Sequence, residues 1–432
     1  MSLKTALAAL ATFALVSAAP QQGPNTRIGF HDAVTPHYVA MSGHAVPHAH
    51  EVHLNRRDNV TTSLVNVRDI YYIIDLKIGS QTIPVSVDTG SSDTWIVKQP
   101  YTCISMRFER PGTKPNCGLG DGLTGTLAGG TIPNVTFGRA YADGTFVSGY
   151  FGYDEVVIAG LTAHHQRLAI VNYTYWYGDG RTSGLLGLAY PYMTSLDGSS
   201  PDQPLYDPIF TTLWKDKQIT PMFSIALSRA VNKTGVDISE TSYLALGGLP
   251  PVKYEEESWA RVKIQNMGEV KAWGLETEEH GLYVITAENY VWGTRDQDGK
   301  GVEGLARNET QFPVLVDVGS TLTILPRTLV NKLYAAFDPP AKYMSENGLF
   351  YARCDAKIPE FGITFGGQTF FMAPEDLLRQ SVRDESGEYC RIGVTDGSDS
   401  GVQILGVTWL SNVLAVFDVE HHEMRFARRV KY

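Results

Sequence analysis

Two short turns, Asp88-Thr89-Gly90-Ser91-Ser92 and Asp317-Val318-Gly319-Ser320-Thr321, lie 229 positions apart, and each follows an apolar, strand-like run. One such turn is weak evidence, because aspartate and glycine form turns for local hydrogen-bonding reasons. Two with matching surroundings point to a pair of carboxylates, Asp88 and Asp317. A hydrolysis that uses neither a metal nor a covalent intermediate needs a base to activate water. It also needs an acid to protonate the group under attack or the group that leaves. Two carboxylates held close cannot both ionise easily, so one shared proton gives each a role and the pair titrates as a unit. Gly90 and Gly319 let water and substrate approach the backbone, while Ser91 and Ser320 can donate hydrogen bonds to the outer carboxylate oxygens. Glycosidases also use two carboxylates, but that chemistry does not require duplicated Asp-x-Gly-Ser turns.

The elements that carry these turns read as strands. Tyr71 to Gly79 is rich in β-branched and aromatic residues, and Ile83, Val85 and Val87 alternate with Pro84 and Ser86, so Asp88 emerges at a strand end. Many short runs follow between Gly, Pro, Asn and Asp, as at 146–157 and 361–371, and the chain reads as mainly β. Helical patterns are few. Leu329, Leu333 and Phe337 fall on one face of a helix over 326–337, and 208–214 and 374–380 are shorter candidates. A second duplication accompanies the first. Leu185-Leu186-Gly187 lies 99 residues after Asp88, and Ile404-Leu405-Gly406 lies 89 residues after Asp317. Two related lobes are expected, 58–250 with the first aspartate and 251–432 with the second.

A chain of 432 residues is too long for one ordinary core, and 43% hydrophobic content can fill two. With 46 Asp and Glu against 36 Lys and Arg, a nucleic-acid backbone is not expected as partner. Residues 1–19 have the layout of a secretory signal peptide: Lys4, an apolar run to Val16, then small residues. No later segment is apolar for long enough to span a bilayer. Residues 20–57 are polar, hold six of the eleven histidines (His31, His37, His44, His48, His50 and His53) and end in Arg56-Arg57. They read as a poorly structured prosegment removed at that pair.

Four cysteines in a secreted chain suggest two disulfides, and of three connectivities the local pairs Cys103 with Cys117 and Cys354 with Cys390 are favoured. Asn-x-Thr sequons at Asn59, Asn134, Asn172, Asn232 and Asn308 are glycan acceptor candidates. His164-His165 and His421-His422 suggest a metal site, yet neighbours on a strand point to opposite faces and chelate poorly. No metal or organic cofactor is expected.

Five segments in order carry a resemblance to the pepsin-like aspartic proteases, their secreted fungal members in particular. They are Asp88 to Trp95, Tyr141-Ala142-Asp143-Gly144-Thr145, Gly184 to Leu188, Asp317 to Thr321, and Ile404-Leu405-Gly406 through Asp418. The resemblance covers nearly all of the chain after residue 69. It implies a bilobal acid protease fold, polypeptide substrates bound extended between the lobes, and a secreted monomer, with an acidic vacuole the alternative location. It implies that Asp88 and Asp317 are catalytic, and that Tyr141, Asp143, Gly144 and Thr145 form a flap over the substrate, with the Tyr141 hydroxyl bonded toward Trp95. Gly90, Gly319 and Thr321 would touch substrate, and Thr89, Ser91, Trp95 and Ser320 would support the dyad. Asp143 resembles the flap residue of fungal enzymes that accept a basic residue before the scissile bond.

Two positions depart from the pattern. The family usually places threonine or serine after the second aspartate, where a hydroxyl crosses between lobes, and here stands Val318. An unpaired buried donor there would cost about 1–3 kcal/mol, which raises the alternative of a weak or silent peptide-binding homologue. Ala142 stands in place of the common flap glycine.

Overall fold

The computed structural model describes residues 34–45, 70–105, 110–112, 118–194, 205–229, 238–294, 305–344, 349–397 and 401–430. The fold is mainly β, as the alternating runs require. Strands Ile70–Ile78 and Gln81–Asp88 pair antiparallel around a two-residue turn, with Gly79 at φ +55°. Such tight hairpins need positive φ, which glycine adopts without steric cost. One large sheet runs from Ala260–Lys263 at one edge, through Val413–Asp418, Met222–Ala226 and the Ile70–Asp88 hairpin, to Thr131–Ala140 at the other. It takes strands from both sides of residue 250, so the expected lobe boundary lies in the connection between two strands of one sheet.

Each aspartate hangs from the same three-strand device. Gln81–Asp88 lies parallel to Gly184–Gly187, with Asp88 opposite Gly187, and Trp95–Ser105 then pairs antiparallel with Gly184–Gly187. In the second copy Pro313–Val316 lies parallel to Gln403–Leu405, and Thr323–Pro326 meets Gln403–Leu405 antiparallel at Ile324 and Ile404. The glycine closing each apolar triplet has a steric reason. A Cβ on Gly187 would lie 2.4 Å from the Ser92 carbonyl carbon, and one on Gly406 would lie 2.2 Å from the Leu322 oxygen. The turn backbones press on these glycines, and the buried Leu185, Leu186 and Leu405 fix the strands beneath them. Each fully buried leucine contributes roughly 1.5–3 kcal/mol.

The expected helices form at Ile209–Lys215 and Arg327–Ala335. The third does not extend as expected: Pro374–Leu377 makes one turn, and the chain continues as the strand Leu378–Arg383, paired with Tyr389–Ile392. A second correction concerns the N-terminal segment. Within 20–57, residues Tyr38–Ala45 form a strand between Ile238–Leu246 and Ile70–Ile78. Backbone ladders on both sides order it within a segment whose overall composition is polar; residues 20–33 and 46–57 with Arg56-Arg57, and the signal peptide, lie outside the described residues. Cys354 and Cys390 form a disulfide. Cys103 is disulfide-bonded, and its expected partner Cys117 lies outside the described residues. Asn134 and Asn172 are exposed and Asn308 is half-buried, while Asn59 and Asn232 lie outside the described residues.

Candidate active site

Asp88 and Asp317 are brought face to face and are nearly enclosed, with 4% and 7% of their surface exposed. The outer oxygen of each accepts a serine hydroxyl at 2.6 Å, Ser91 to Asp88 Oδ2 and Ser320 to Asp317 Oδ2. The other oxygen accepts the amide two residues on, Gly90 to Asp88 Oδ1 and Gly319 to Asp317 Oδ1, both at 2.8 Å. The glycines also set the separation. A Cβ on Gly90 would lie 2.9 Å from Asp317 Oδ1, and one on Gly319 would lie 2.4 Å from Asp88 Oδ1. Any side chain there would push the carboxylates apart.

One hydroxyl crosses between the turns and serves two backbone groups. Thr89 Oγ1 donates to the Val316 carbonyl at 3.0 Å and accepts the Val318 amide at 3.0 Å. The Val318 amide is therefore paired although its side chain carries no hydroxyl. Thr321 is fully buried beside this junction, and its carbonyl accepts the Thr408 amide, so its side chain has no open surface toward a substrate.

A hairpin joins Thr131–Ala140 to Phe146–Ile158. The Tyr141 amide bonds the Thr145 carbonyl at 2.9 Å, the Gly144 amide bonds the Tyr141 carbonyl at 3.0 Å, and Gly144 has φ +83°. Asp143 Oδ1 accepts both the Thr145 amide and hydroxyl, which makes it a turn former whatever else it does. Ala142 is exposed at the tip. Trp95 Nε1 donates to the Tyr141 hydroxyl at 2.7 Å, and Trp176 packs edge-on against both rings.

The residues match the eukaryotic aspartyl protease family over 71–429. The chain belongs to that family. It is 34% identical over 370 residues to a probable aspartic-type endopeptidase of Aspergillus fumigatus, covering 82% of this chain and 78% of the relative. Aspergillopepsin-1 of Aspergillus clavatus is 25% identical over 397 residues, covering 91% and 87% of the two chains. Penicillopepsin-1 of Penicillium janthinellum is 24% identical over 371 residues, covering 85% and 98%. The protein is thus an aspartic-type endopeptidase by family, and the family implies the bilobal fold and polypeptide substrates. Among the described residues no helix is long and apolar enough to cross a membrane.

The paired histidines part company. His164 bonds Glu155 at 2.8 Å while His165 stacks on Tyr153; His421 bonds Asp418 while His422 stacks on His280 with ring centres 3.7 Å apart. Among the described residues no cluster of three or more His, Cys, Asp or Glu could hold a metal. His280 and His422 sit where the two halves meet, with the Tyr190 hydroxyl 3.2 Å from His422 Nδ1. Burial pushes both histidines below the ordinary imidazole range. Each ring also feels a neighbouring imidazole, His422 acting on His280 and His421 on His422, and the charge of Asp418 works the other way on His422.

Three residues near the Tyr141 hairpin escape a reading of the motifs alone: Trp176, Asp93 and Arg139. A signal for two of them is present, because Asp93 and Arg139 have the same separation, 46 residues, as Trp95 and Tyr141.

Proposed function

We propose that the protein is a secreted endopeptidase that cuts extended polypeptides in acid, with Asp88 and Asp317 sharing one proton across a water. The observation that carries this reading is the matched support of the pair, each carboxylate held by one serine hydroxyl and one glycine amide. Held this way, the two carboxylates share the attacking water, and one of them takes a proton from it. The other gives its proton to the carbonyl oxygen, and the pair is ready for the leaving nitrogen. Tyr141 closes the hairpin over the peptide and excludes bulk water. The silent-homologue reading rests on Val318. Thr89 serves the Val318 amide, which removes its main support.

Residues 1–19 direct secretion and residues 20–57 act as a prosegment cut at Arg56-Arg57, with its six histidines making release depend on acid. That cut by itself leaves the strand Tyr38–Ala45 in its two ladders, so release also requires breaking them. Asn59, Asn134, Asn172, Asn232 and Asn308 are its glycan acceptors, and Cys103 pairs with Cys117. Asp143 admits lysine before the scissile bond beside large apolar residues; Asp143→Ser lowers kcat/KM for such peptides selectively, and equal values with and without the substitution refute the role.

The decisive experiment acidifies purified protein and adds denatured substrate protein at about pH 3–5, below the His range. Cleavage should appear and be abolished by a pepstatin-type inhibitor and by Asp317→Asn. Absence of cleavage after confirmed removal of residues 20–57 overturns the reading in favour of a binding protein.

A further inference from the structure

Besides Trp95 and Tyr141, a second pair of side chains joins the Asp88 turn to the flap strand. Asp93 is completely buried two residues before Trp95, and Arg139 lies two residues before Tyr141. Arg139 reaches Asp93 Oδ2 through Nε at 3.0 Å and Nη2 at 2.5 Å. The two bonds join the same two segments two residues apart on each, so they form successive rungs between them. The upper rung is a neutral hydrogen bond, Trp95 to Tyr141. The lower is an ion pair, with the Arg139 side chain 22% exposed and that of Asp93 at 0%.

The lower rung gathers more of the surroundings. Arg139 Nη2 also donates to the Met193 carbonyl, and the Tyr206 hydroxyl donates to Asp93 Oδ1. The guanidinium of Arg167 lies 4.7 Å over the Tyr206 ring and 4.0 Å over Phe151. Burial works against the charge on Arg139, and the charge and hydrogen bonds of Asp93 outweigh it, raising the guanidinium above its ordinary range. A buried ion pair is rarely the most stable filling for a core, because desolvation consumes most of its attraction. What the guanidinium fork supplies that an apolar pair cannot is direction.

We propose that Asp93 and Arg139 are positioning residues that set where the flap closes, acting on the peptide through Tyr141. This rests on the flap reading of Tyr141 given above. The ion pair holds the strand one rung below the tip, and residues 141–145 swing from that point as a short lever. Tilting the lever misplaces the Tyr141 hydroxyl, which weakens its hold on the peptide in ground state and transition state alike.

The test compares Arg139→Lys, which keeps the charge and removes the fork, with Asp93→Asn combined with Arg139→Gln, which keeps a neutral hydrogen bond. Each is made with and without Tyr141→Phe. Active sites are counted with a tight pepstatin-type inhibitor, melting is recorded alongside, and kcat and KM are measured on one extended peptide. In both variants KM should rise about tenfold with kcat within about threefold. Tyr141→Phe alone lowers kcat/KM, and it should add less than about twofold to Arg139→Lys. If Arg139→Lys and the double substitution leave KM unchanged, or their effects multiply with that of Tyr141→Phe, the pair is purely structural and the proposal falls. If Tyr141→Phe alone has no effect on fully titrated enzyme, the flap reading itself falls first.

Discussion

At both turns a serine hydroxyl meets the outer carboxylate oxygen at 2.6 Å and a glycine amide meets the other at 2.8 Å. The layer beneath differs. Thr89 sends its hydroxyl across to the second turn and grips it at both the Val316 carbonyl and the Val318 amide, and Val318 has no hydroxyl to return. The segments behind the turns differ too. Tyr190, after Gly187, ends against His280 and His422, whereas Trp409, after Gly406, is fully buried among Phe365, Phe370 and Phe426. Equivalent direct support therefore rests on unequal scaffolds. The first turn holds the second in place, and the first also faces titratable rings.

If the two carboxylates act as one unit, exchanging either for asparagine has nearly the same consequence. Asp88→Asn and Asp317→Asn should each lower kcat by about 10⁴-fold, and the double substitution should be no worse, since groups acting together are strongly non-additive. Steady-state rates on one peptide check this. A double variant a further hundredfold slower than either single one breaks the symmetry at its root.

The next effect tests the one-way grip. Thr89→Val leaves the buried Val318 amide and Val316 carbonyl without their partner, a loss of about 1–3 kcal/mol in unfolding free energy. Thr89→Ser keeps the hydroxyl and should recover most of it. Denaturant unfolding of the two variants measures the difference, and equal stability would mean the crossing bonds hold nothing.

Much of this asymmetry is legible in the order of the amino acids. The paired turns, the apolar triplets that cradle them and the valine in place of a hydroxyl are local patterns, and local patterns survive in sequence. The register opposing Asp88 to Gly187 follows from the close approach that only glycine permits at those strands. What stays hidden depends on distant partners. Arg139 reads as one surface charge in an alternating strand until Asp93 is seen beneath it. Tyr38–Ala45 sits in a segment whose overall composition reads as polar and unstructured, and pairing with its neighbours Ile238–Leu246 and Ile70–Ile78 makes it a strand. Leu378–Arg383 follows a proline-led turn that suggests helix, and pairing with Tyr389–Ile392 overrides the local preference. Thr321 is expected at the substrate because the motif runs to it, and burial in the turn removes it from the surface.

Restoring the missing hydroxyl sharpens the comparison at smaller scale. In a two-fold arrangement Val318→Thr would find the Val87 carbonyl, as Thr89 finds Val316. Stability then rises by up to about 1 kcal/mol, because a paired hydroxyl replaces a methyl of similar volume. Denaturant unfolding reads it. A fall of that size would show that the second turn has no acceptor in reach, so that its lack of a hydroxyl is part of the design of the junction.

The smallest effect separates the scaffolds by pH. His280 and His422 have pKa values below the ordinary imidazole value, with burial the leading cause. As pH falls through the range below about 6.5, the unfolded chain takes up these protons before the folded one does, so folding stability is lost on acidification. Protonation would also set two like charges in stacked rings beside Tyr190. His422→Phe keeps a ring on the stack and removes one charge. Its stability relative to wild type should improve as pH falls below about 6.5 and change little above about pH 7. The slope of unfolding free energy against pH is the measurement. An unaltered slope would place the acid sensitivity of the junction elsewhere and leave the two scaffolds alike in how they answer to protons.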